Sequence, residues 1–257
     1  MSFEKTIIYL KSKLELNPDD PEIYTELGSA FYEIKKYEKA IKYYSQALKL
    51  NPDNHELYSN LANIYMDLCE YEDAVRFYEK ALSFNEEDYE LMVCLGNAYT
   101  ELKIYAKAFQ YFEKAASISP DDYKIHLCYG IAKSEAGEMD EAIEKYKKAI
   151  SLEPKDDKTF IILANTFVEK NLYDEAIEHY KKAIEINNQN SLTYMALGNT
   201  LVLTGNIEQS IDYYRHASQL EPTNQEIRYI YEKTLEEYAS GTIEKIINEE
   251  EYDINEG

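Results

Sequence analysis

The sequence predicts an all-α fold, an α-solenoid of stacked antiparallel helix pairs, and three observations predict it. First, residue types recur every 34 positions. Tyr24, Tyr58, Met92, His126, Phe160 and Tyr194 share one phase; Tyr44, Tyr78, Phe112, Tyr146, Tyr180 and Tyr214 share a second; Ala40, Ala74, Ala108, Ala142, Ala176 and Ser210 share a third. Second, each period holds two stripes of helical spacing. Tyr24, Leu27, Gly28 and Phe31 form one, and Tyr37, Ala40, Ile41, Tyr44, Ala47 and Leu48 the other. Third, no alternating strand pattern competes with them. A period of this length denotes two-element units that bury their apolar faces only against neighbours. Such arrays present long surfaces, so binding is the expected role.

In chain order, residues 1–20 read as an N-terminal capping helix. Phe3, Thr6, Leu10, Lys13 and Asn17-Pro18 align with the second helix of a unit whose first helix is absent. Thr6 and Lys13 stand where full units carry alanine, which suits a face turned to water. The alternative is an edge for self-association through Ile7, Ile8 and Leu10. Six full units follow at 21–54, 55–88, 89–122, 123–156, 157–190 and 191–224. Within each, a first helix (A) and a second (B) join near Lys35–Lys36 or its equivalents Gly137, Asn171 and Gly205, residues that accept the left-handed conformation ending a helix. Units close on clusters such as Asn51-Pro52-Asp53-Asn54. Proline stops helix B, and the final Asp or Asn caps the next helix A.

Small residues recur on helix A at Gly28, Ala62, Gly96, Gly130, Ala164 and Gly198. Glycine inside a helix costs about 1 kcal/mol against alanine. These positions therefore predict a close backbone contact, with the alanines of helix B facing them. Residues 225–241 read as a C-terminal capping helix, with Glu232 in place of the small residue and Gly241 as its stop. The whole of 1–241 is then a single solenoid. Thr242–Asn248 could add a turn or two of helix, and 242–257 is an acidic tail.

Composition narrows the partners. Of 257 residues, 45% are hydrophobic, enough for a continuous core. The 49 acids against 27 bases give a net charge of −22, which repels nucleic acid and anionic membrane and favours a basic or neutral partner. It also favours a monomer, with at most weak self-association. The N-terminal stretch is charged and amphipathic, without a signal peptide's apolar run, and no segment has the apolar length of a membrane span. With three cysteines besides, a cytoplasmic location is expected. Cys94 and Cys128 share a phase on helices about 8–10 Å apart, too far for a disulfide. Both, with Cys69, read as small packing residues.

No catalytic constellation stands out. The four histidines, His55, His126, His179 and His216, fall at unrelated phases and form no ligand pair, so no metal is expected. There is no glycine-rich phosphate loop and no Cys-x-x-Cys, and no cofactor is expected. The carboxylates read as the solvated faces of amphipathic helices.

The unit Tyr24-x-x-Leu27-Gly28-x-x-Phe31 … Ala40-x-x-x-Tyr44-x-x-Ala47 … Pro52 resembles the tetratricopeptide repeat (TPR), and the resemblance covers nearly the whole chain. Departures are mild: His126, Tyr129 and Lys133 in the fourth unit, and Ser210 in the sixth. The resemblance implies a right-handed superhelix whose groove is lined by helix A at positions 2, 5, 9, 12 and 13 of each unit. It says little about the task, since the family serves chaperone, transport, secretion and assembly roles.

Carried over by position, the implied groove has a polar row, an apolar row and an acidic rail. Position 9 holds Ser29, Asn63, Asn97, Ile131, Asn165 and Asn199, similar to the asparagine ladders of importin-like and O-GlcNAc-transferase-like solenoids. Asparagine can both donate to and accept from a peptide backbone. Solubility or inter-helix bonding is the alternative reason for it. Val93, Leu127, Ile161 and Met195 at position 5 form an apolar strip with Ile131, Val168, Val202 and Leu203, unless neighbouring helices bury it. Glu33, Asp67, Glu101, Glu135 and Glu169 form the rail. Position 2 runs Glu22, Glu56, Glu90, then Lys124, Lys158 and Leu192. A ligand with basic residues toward the N-terminal units and apolar anchors toward the C-terminal ones is expected. The lysine and arginine clamp by which chaperone adaptors of this family hold a C-terminal carboxylate is missing: its positions carry Thr25, Ser29, Asn60, Glu90 and Cys94. The reading is a non-catalytic, cytoplasmic interaction scaffold or adaptor that takes a peptide or helical segment. Its alternatives are an array recruiting substrates for a separate or truncated enzyme, as in O-GlcNAc transferases, and a self-assembling spacer.

Overall fold

The computed structural model describes residues 3–241. Among them the regular elements are helices: α1 (Phe3–Leu16), then the A–B pairs α2 (Pro21–Glu33) and α3 (Tyr37–Leu50), α4 (His55–Asp67) and α5 (Tyr71–Leu82), α6 (Tyr89–Glu101) and α7 (Tyr105–Ile118), next α8 (Tyr123–Glu135) at an A position and α9 (Met139–Leu152) at a B position, then the pairs α10 (Asp157–Glu169) and α11 (Tyr173–Ile186), α12 (Ser191–Leu203) and α13 (Ile207–Leu220), and finally α14 (Gln225–Ala239). The fold class is the all-α helix-pair array that the periodicity implies. The expected extra turn and acidic tail at 242–257 lie outside the described residues.

The two ends of each pair are built differently. Every A helix of the array starts from an Asp or Asn whose side chain accepts a backbone N–H one turn in: Asp20 from Glu22, Asn54 from Glu56, Asp88 from Leu91, Asp122 from Lys124, Asp156 from Thr159, Asn190 from Thr193 and Asn224 from Glu226. The B helices start without such a cap, straight from a left-handed turn. Lys35, Cys69, Lys103, Asn171, Gly137 and Gly205 all have positive φ, between 56° and 83°. The next N–H folds back onto helix A, as Lys36 does to Phe31 O and Glu70 to Tyr65 O. Cys69 is therefore an exposed turn residue, which corrects its reading as a packing residue.

The chain divides into two compact units, residues up to Ala136 and from Gly137 onward. In the first, α1–α8 bury Leu27, Leu57, Leu61, Ile64, Leu95, Phe112 and Ile125 almost completely. Ile7 and Leu10 belong to this core, packed with Ile23 and Leu27. Burial takes Ile7 and Leu10 out of the self-association edge expected through Ile7, Ile8 and Leu10, and leaves Ile8 alone of the three exposed. The second unit buries Tyr146, Leu163, Leu197, Leu201 and Ile227. Ser210 is buried there in alanine's place because its hydroxyl donates to Ile207 O at 2.7 Å.

The small positions of helix A are explained by rings rather than by alanines. A Cβ on Gly28 would come within 2.5 Å of the Tyr44 ring, one on Gly96 within 2.6 Å of Phe112, and one on Gly198 within 2.5 Å of Tyr214. The expected approach of helix-B alanines to these glycines is thus replaced by an aromatic ring lying on the bare backbone. The alanines Ala40, Ala47, Ala74 and Ala81 are buried elsewhere along the seam.

The irregular fourth A helix is accommodated within the first unit. His126 is buried with Nε2 at 2.8 Å from Pro120 O, and the Tyr129 hydroxyl donates to Glu113 at 3.0 Å. Lys133 is buried with its ammonium 3.9 Å from the Phe109 ring centre, a cation–π contact that offsets desolvation.

Candidate functional site

Helix A buries more than positions 4, 7, 8 and 11. Position 3 (Ile23, Leu57, Leu91, Ile125, Thr159, Thr193) and position 10 (Ala30, Ile64, Ala98, Ala132, Thr166, Thr200) are also buried. The surface left on the A helices includes most of the stripe at positions 2, 5, 9, 12 and 13, and the predicted site residues fall on it.

In the first unit the polar row is tied to helix B. The Ser29 and Tyr44 hydroxyls are 3.0 Å apart, and the Tyr78 hydroxyl donates to Asn63 Oδ1. The third repeat has Phe112 where the others have tyrosine. Asn97 there bonds instead to the thiol of Cys128, whose pKa burial nevertheless raises. The second unit repeats the tie: Tyr180 donates to Asn165 Oδ1, and Tyr214 to Asn199 Oδ1 at 2.7 Å. With the carbonyl oxygens of Asn63, Asn165 and Asn199 engaged, these side chains offer their NH₂ groups. In these three the carbonyl oxygen is turned to the tyrosine of helix B and the NH₂ group is the untied end. The signal for this lay in the sequence, in the tyrosine fifteen residues beyond each asparagine.

The first unit also holds a cavity of about 390 Å³ on this stripe, lined by residues that include Glu56, Ser59, Asn63, Tyr78, Asp88, Glu90 and Cys94. Its carboxylates make it suited to a cation. Burial pushes the Cys94 thiol up despite its hydrogen bond with Tyr78, so it is a neutral wall of the cavity. The acidic rail is partly spent on ties between repeats. Burial and a hydrogen bond to Asp67 push Tyr32 up to about 12, and burial and Asp67 raise Tyr37. Tyr71 is raised by hydrogen bonding to Cys69, by burial and by Glu101. Burial, then the neighbouring Glu101, raises Glu135.

The apolar row is only half covered. Val93, Leu127 and Ile131 in the first unit are partly buried, as are Ile161, Val168, Met195 and Val202 in the second. Helix α12 contains no charged residue, and Leu192 and Leu203 on its stripe are each 57% exposed. Lys124 and Lys158 are exposed, as are Asn165 and Asn199, while Asn63 and Asn97 are partly buried. Among the described residues, no group of three or more His, Cys, Asp and Glu is placed to hold a metal ion. No described helix is long and apolar enough to cross a membrane.

Residues 28–68 and 164–205 match the family model described as TPR repeat. Residues 55–88, 89–122, 127–156 and 192–224 match models described as tetratricopeptide repeat. Among solved structures, a tetratricopeptide repeat protein from Parabacteroides merdae is similar at 22% identity and a TM-score of 0.70, over 91% of this chain and 92% of that one. YrrB, described as a TPR protein with an unusual peptide-binding site, is similar at 24% identity and a TM-score of 0.54, over 73% of this chain and 96% of that one. The APC/C hetero-tetramer Cut9–Hcn1 gives 15% identity and a TM-score of 0.66 over 91% of this chain, which spans 46% of that one. These likenesses are to the fold. No curated protein matches the chain.

Proposed function

We propose, from the premise that this chain belongs to the tetratricopeptide repeat family, that it is a non-catalytic interaction scaffold gripping a peptide or helical segment of a protein partner along the stripe of its A helices. One observation carries the reading: in the second unit Leu192 and Leu203 are open and Ile161 and Met195 half-covered, as Leu127 is in the first, which leaves apolar surface on a chain of net charge −22. Helix packing does not need that surface, and an acidic protein has no solubility reason to keep it.

The ligand's chemistry follows from the order of the row. Glu56, Asp88 and Glu90 around the first-unit cavity favour lysine or arginine side chains. Beyond them the row turns apolar, with Lys124 and Lys158 beside it. A segment with basic residues toward the N-terminal repeats and apolar anchors toward the C-terminal ones fits this order. The amide donors of Asn165 and Asn199 would meet its backbone carbonyls, each bond contributing about 0.5–1.5 kcal/mol. YrrB, described by its peptide-binding site, lends the reading a fold-level precedent. A cytoplasmic location belongs to the same proposal.

The test is capture from a library of basic–apolar peptides by the wild type and by a Leu127→Asp, Ile161→Asp double variant. Equal capture by both, at equal helicity, contradicts the reading.

A further inference from the structure

The two ends of the array are complementary halves of one repeat, and we propose that α14 of one copy docks against α1 of a second copy, completing a helix pair between chains. This goes beyond the groove reading and does not depend on it.

Among the described residues, α1 is in register with the B helices and no A helix precedes it, and α14 is in register with the A helices and no helix follows it. The exposures agree with that register. Within the full repeats the B-helix position of Tyr9 is half-covered, as where Tyr43 stacks on Phe31 at 5.3 Å, and the position of Leu16 is 37–44% exposed at Leu50, Phe84, Ile118 and Ile186. In α1 they are left 58% and 80% exposed. On the other end, Leu235 occupies the position of Phe31 and Leu201, which are 4% and 2% exposed, but is itself 41% exposed. Each end exposes the surface that the other end's type of helix covers inside the array.

Size and charge are matched across the two ends as well. Inside a repeat, a bare glycine on helix A receives a ring on helix B, as Gly28 receives Tyr44 and Gly198 receives Tyr214. At the ends the volume is redistributed. Glu232 replaces the small residue on α14, and Leu10 replaces the ring on α1. One helical turn from Leu10, Lys13 replaces an otherwise invariant alanine, so a carboxylate and an ammonium enter the same seam from opposite sides. The local charges complement too. Helix α1 carries Lys5, Lys11 and Lys13 against Glu4 and Glu15, whereas α14 carries four acids against Arg228 and Lys233. Both new side chains are at the surface: Glu232 pairs with Arg228, each 61% exposed, and the Lys13 ammonium sits over Tyr9. A cavity of about 350 Å³ between α1 and α2, lined in part by Phe3, Thr6, Leu10, Glu26, Ala30 and Glu33, marks where a preceding A helix would lie.

Because the two faces differ, each contact uses one α1 and one α14. The test is sedimentation over a concentration series. The wild type is expected to gain mass with concentration. Tyr9→Asp with Leu16→Asp blocks the α1 face, and Leu235→Asp blocks the α14 face. Each variant alone is expected to stay monomeric, and their mixture to form a two-chain species and nothing larger. Glu232→Lys and Lys13→Glu should each weaken association tenfold or more, and the two together should recover most of it. Unchanged helicity by circular dichroism separates lost pairing from lost folding. A wild-type mass independent of concentration overturns the proposal, as does association of either blocked variant alone or a monomeric mixture. So does a chain ended at Gly241 that associates when the full chain does not, since the C-terminal segment would then be the occupant of α14.

Discussion

Tyr214 donates its hydroxyl to Asn199 Oδ1 at 2.7 Å, so the ring that fills the glycine notch at Gly198 also fixes the asparagine beside it. One residue of helix B thereby sets both the packing of the pair and the orientation of a groove side chain. Replacing Tyr214 by Phe keeps the ring and removes the bond. Urea unfolding should show a loss of about 0.5–1.5 kcal/mol. The same change at Tyr180 should behave alike. The third repeat, which has Phe112 by nature, already lacks this tie.

The ring-on-glycine contact makes a second prediction about stability. Gly198→Val places a branched side chain where the first carbon alone would stand 2.5 Å from Tyr214. Overpacking of that kind costs about 1–3 kcal/mol. Gly198→Ala should cost much less, because Ala62 and Ala164 hold the same position in repeats that keep their tyrosine. A valine variant as stable as wild type would show that the seam opens more easily than this contact implies.

Thiol labelling separates the three cysteines. Cys69 is exposed in its turn, while Cys94 and Cys128 are partly covered and held protonated by burial. An alkylating reagent near neutral pH should modify Cys69 first, leaving the other two protected until the chain unfolds. Intact mass and peptide mapping over time would check the order.

Alkaline pH should unfold the array. Burial raises the hydroxyls of Tyr180 and Tyr214 to about 12 from an ordinary value near 10. Tyr44 and Tyr78 are raised mainly by burial as well. In this direction the folded chain holds protons that the unfolded chain has lost. The stabilisation is complete below about pH 10 and falls as pH rises toward 12. Melting temperature should therefore be flat near neutrality and drop steeply above about pH 10, and Tyr→Phe at these positions should soften the drop.

The helices were legible because their signals are local and repeated. Each Asp or Asn before an A helix caps it, and the left-handed turns fall where Gly137, Asn171 and Gly205 point to them. Cys69 was misread because its role is a backbone angle, and its neighbours in the alignment, Lys35 and Lys103, hide that angle under ordinary side chains. The glycine contact was placed on the wrong partner because spacing along one helix gives a face but not which residue of the next helix meets it. The asparagines carried the same ambiguity. Their position on helix A could be read, whereas the direction of each amide depends on a tyrosine fifteen residues away. Ile7 and Leu10 looked available because a helix at the end of an alignment has no visible neighbour on one side, yet α2 covers them from the other.

The groove reading makes its sharpest prediction about salt. A basic–apolar peptide should owe part of its affinity to Glu56, Asp88 and Glu90, which solvent ions screen, and part to Met195 and Leu203, which they do not. Glu56→Lys with Glu90→Lys should lower affinity at low salt and flatten its dependence on ionic strength, because the screened contribution is the one removed. Met195→Asp with Leu203→Asp should lower affinity about tenfold or more at every salt concentration and leave the slope in place, since burying apolar area contributes about 25 cal/mol per Å² without regard to counterions. Fluorescence anisotropy over a salt series reads both effects. If the acidic pair alters the plateau at high salt but not the slope, or the apolar pair alters the slope but not the plateau, the ligand does not lie along the A helices in the order proposed.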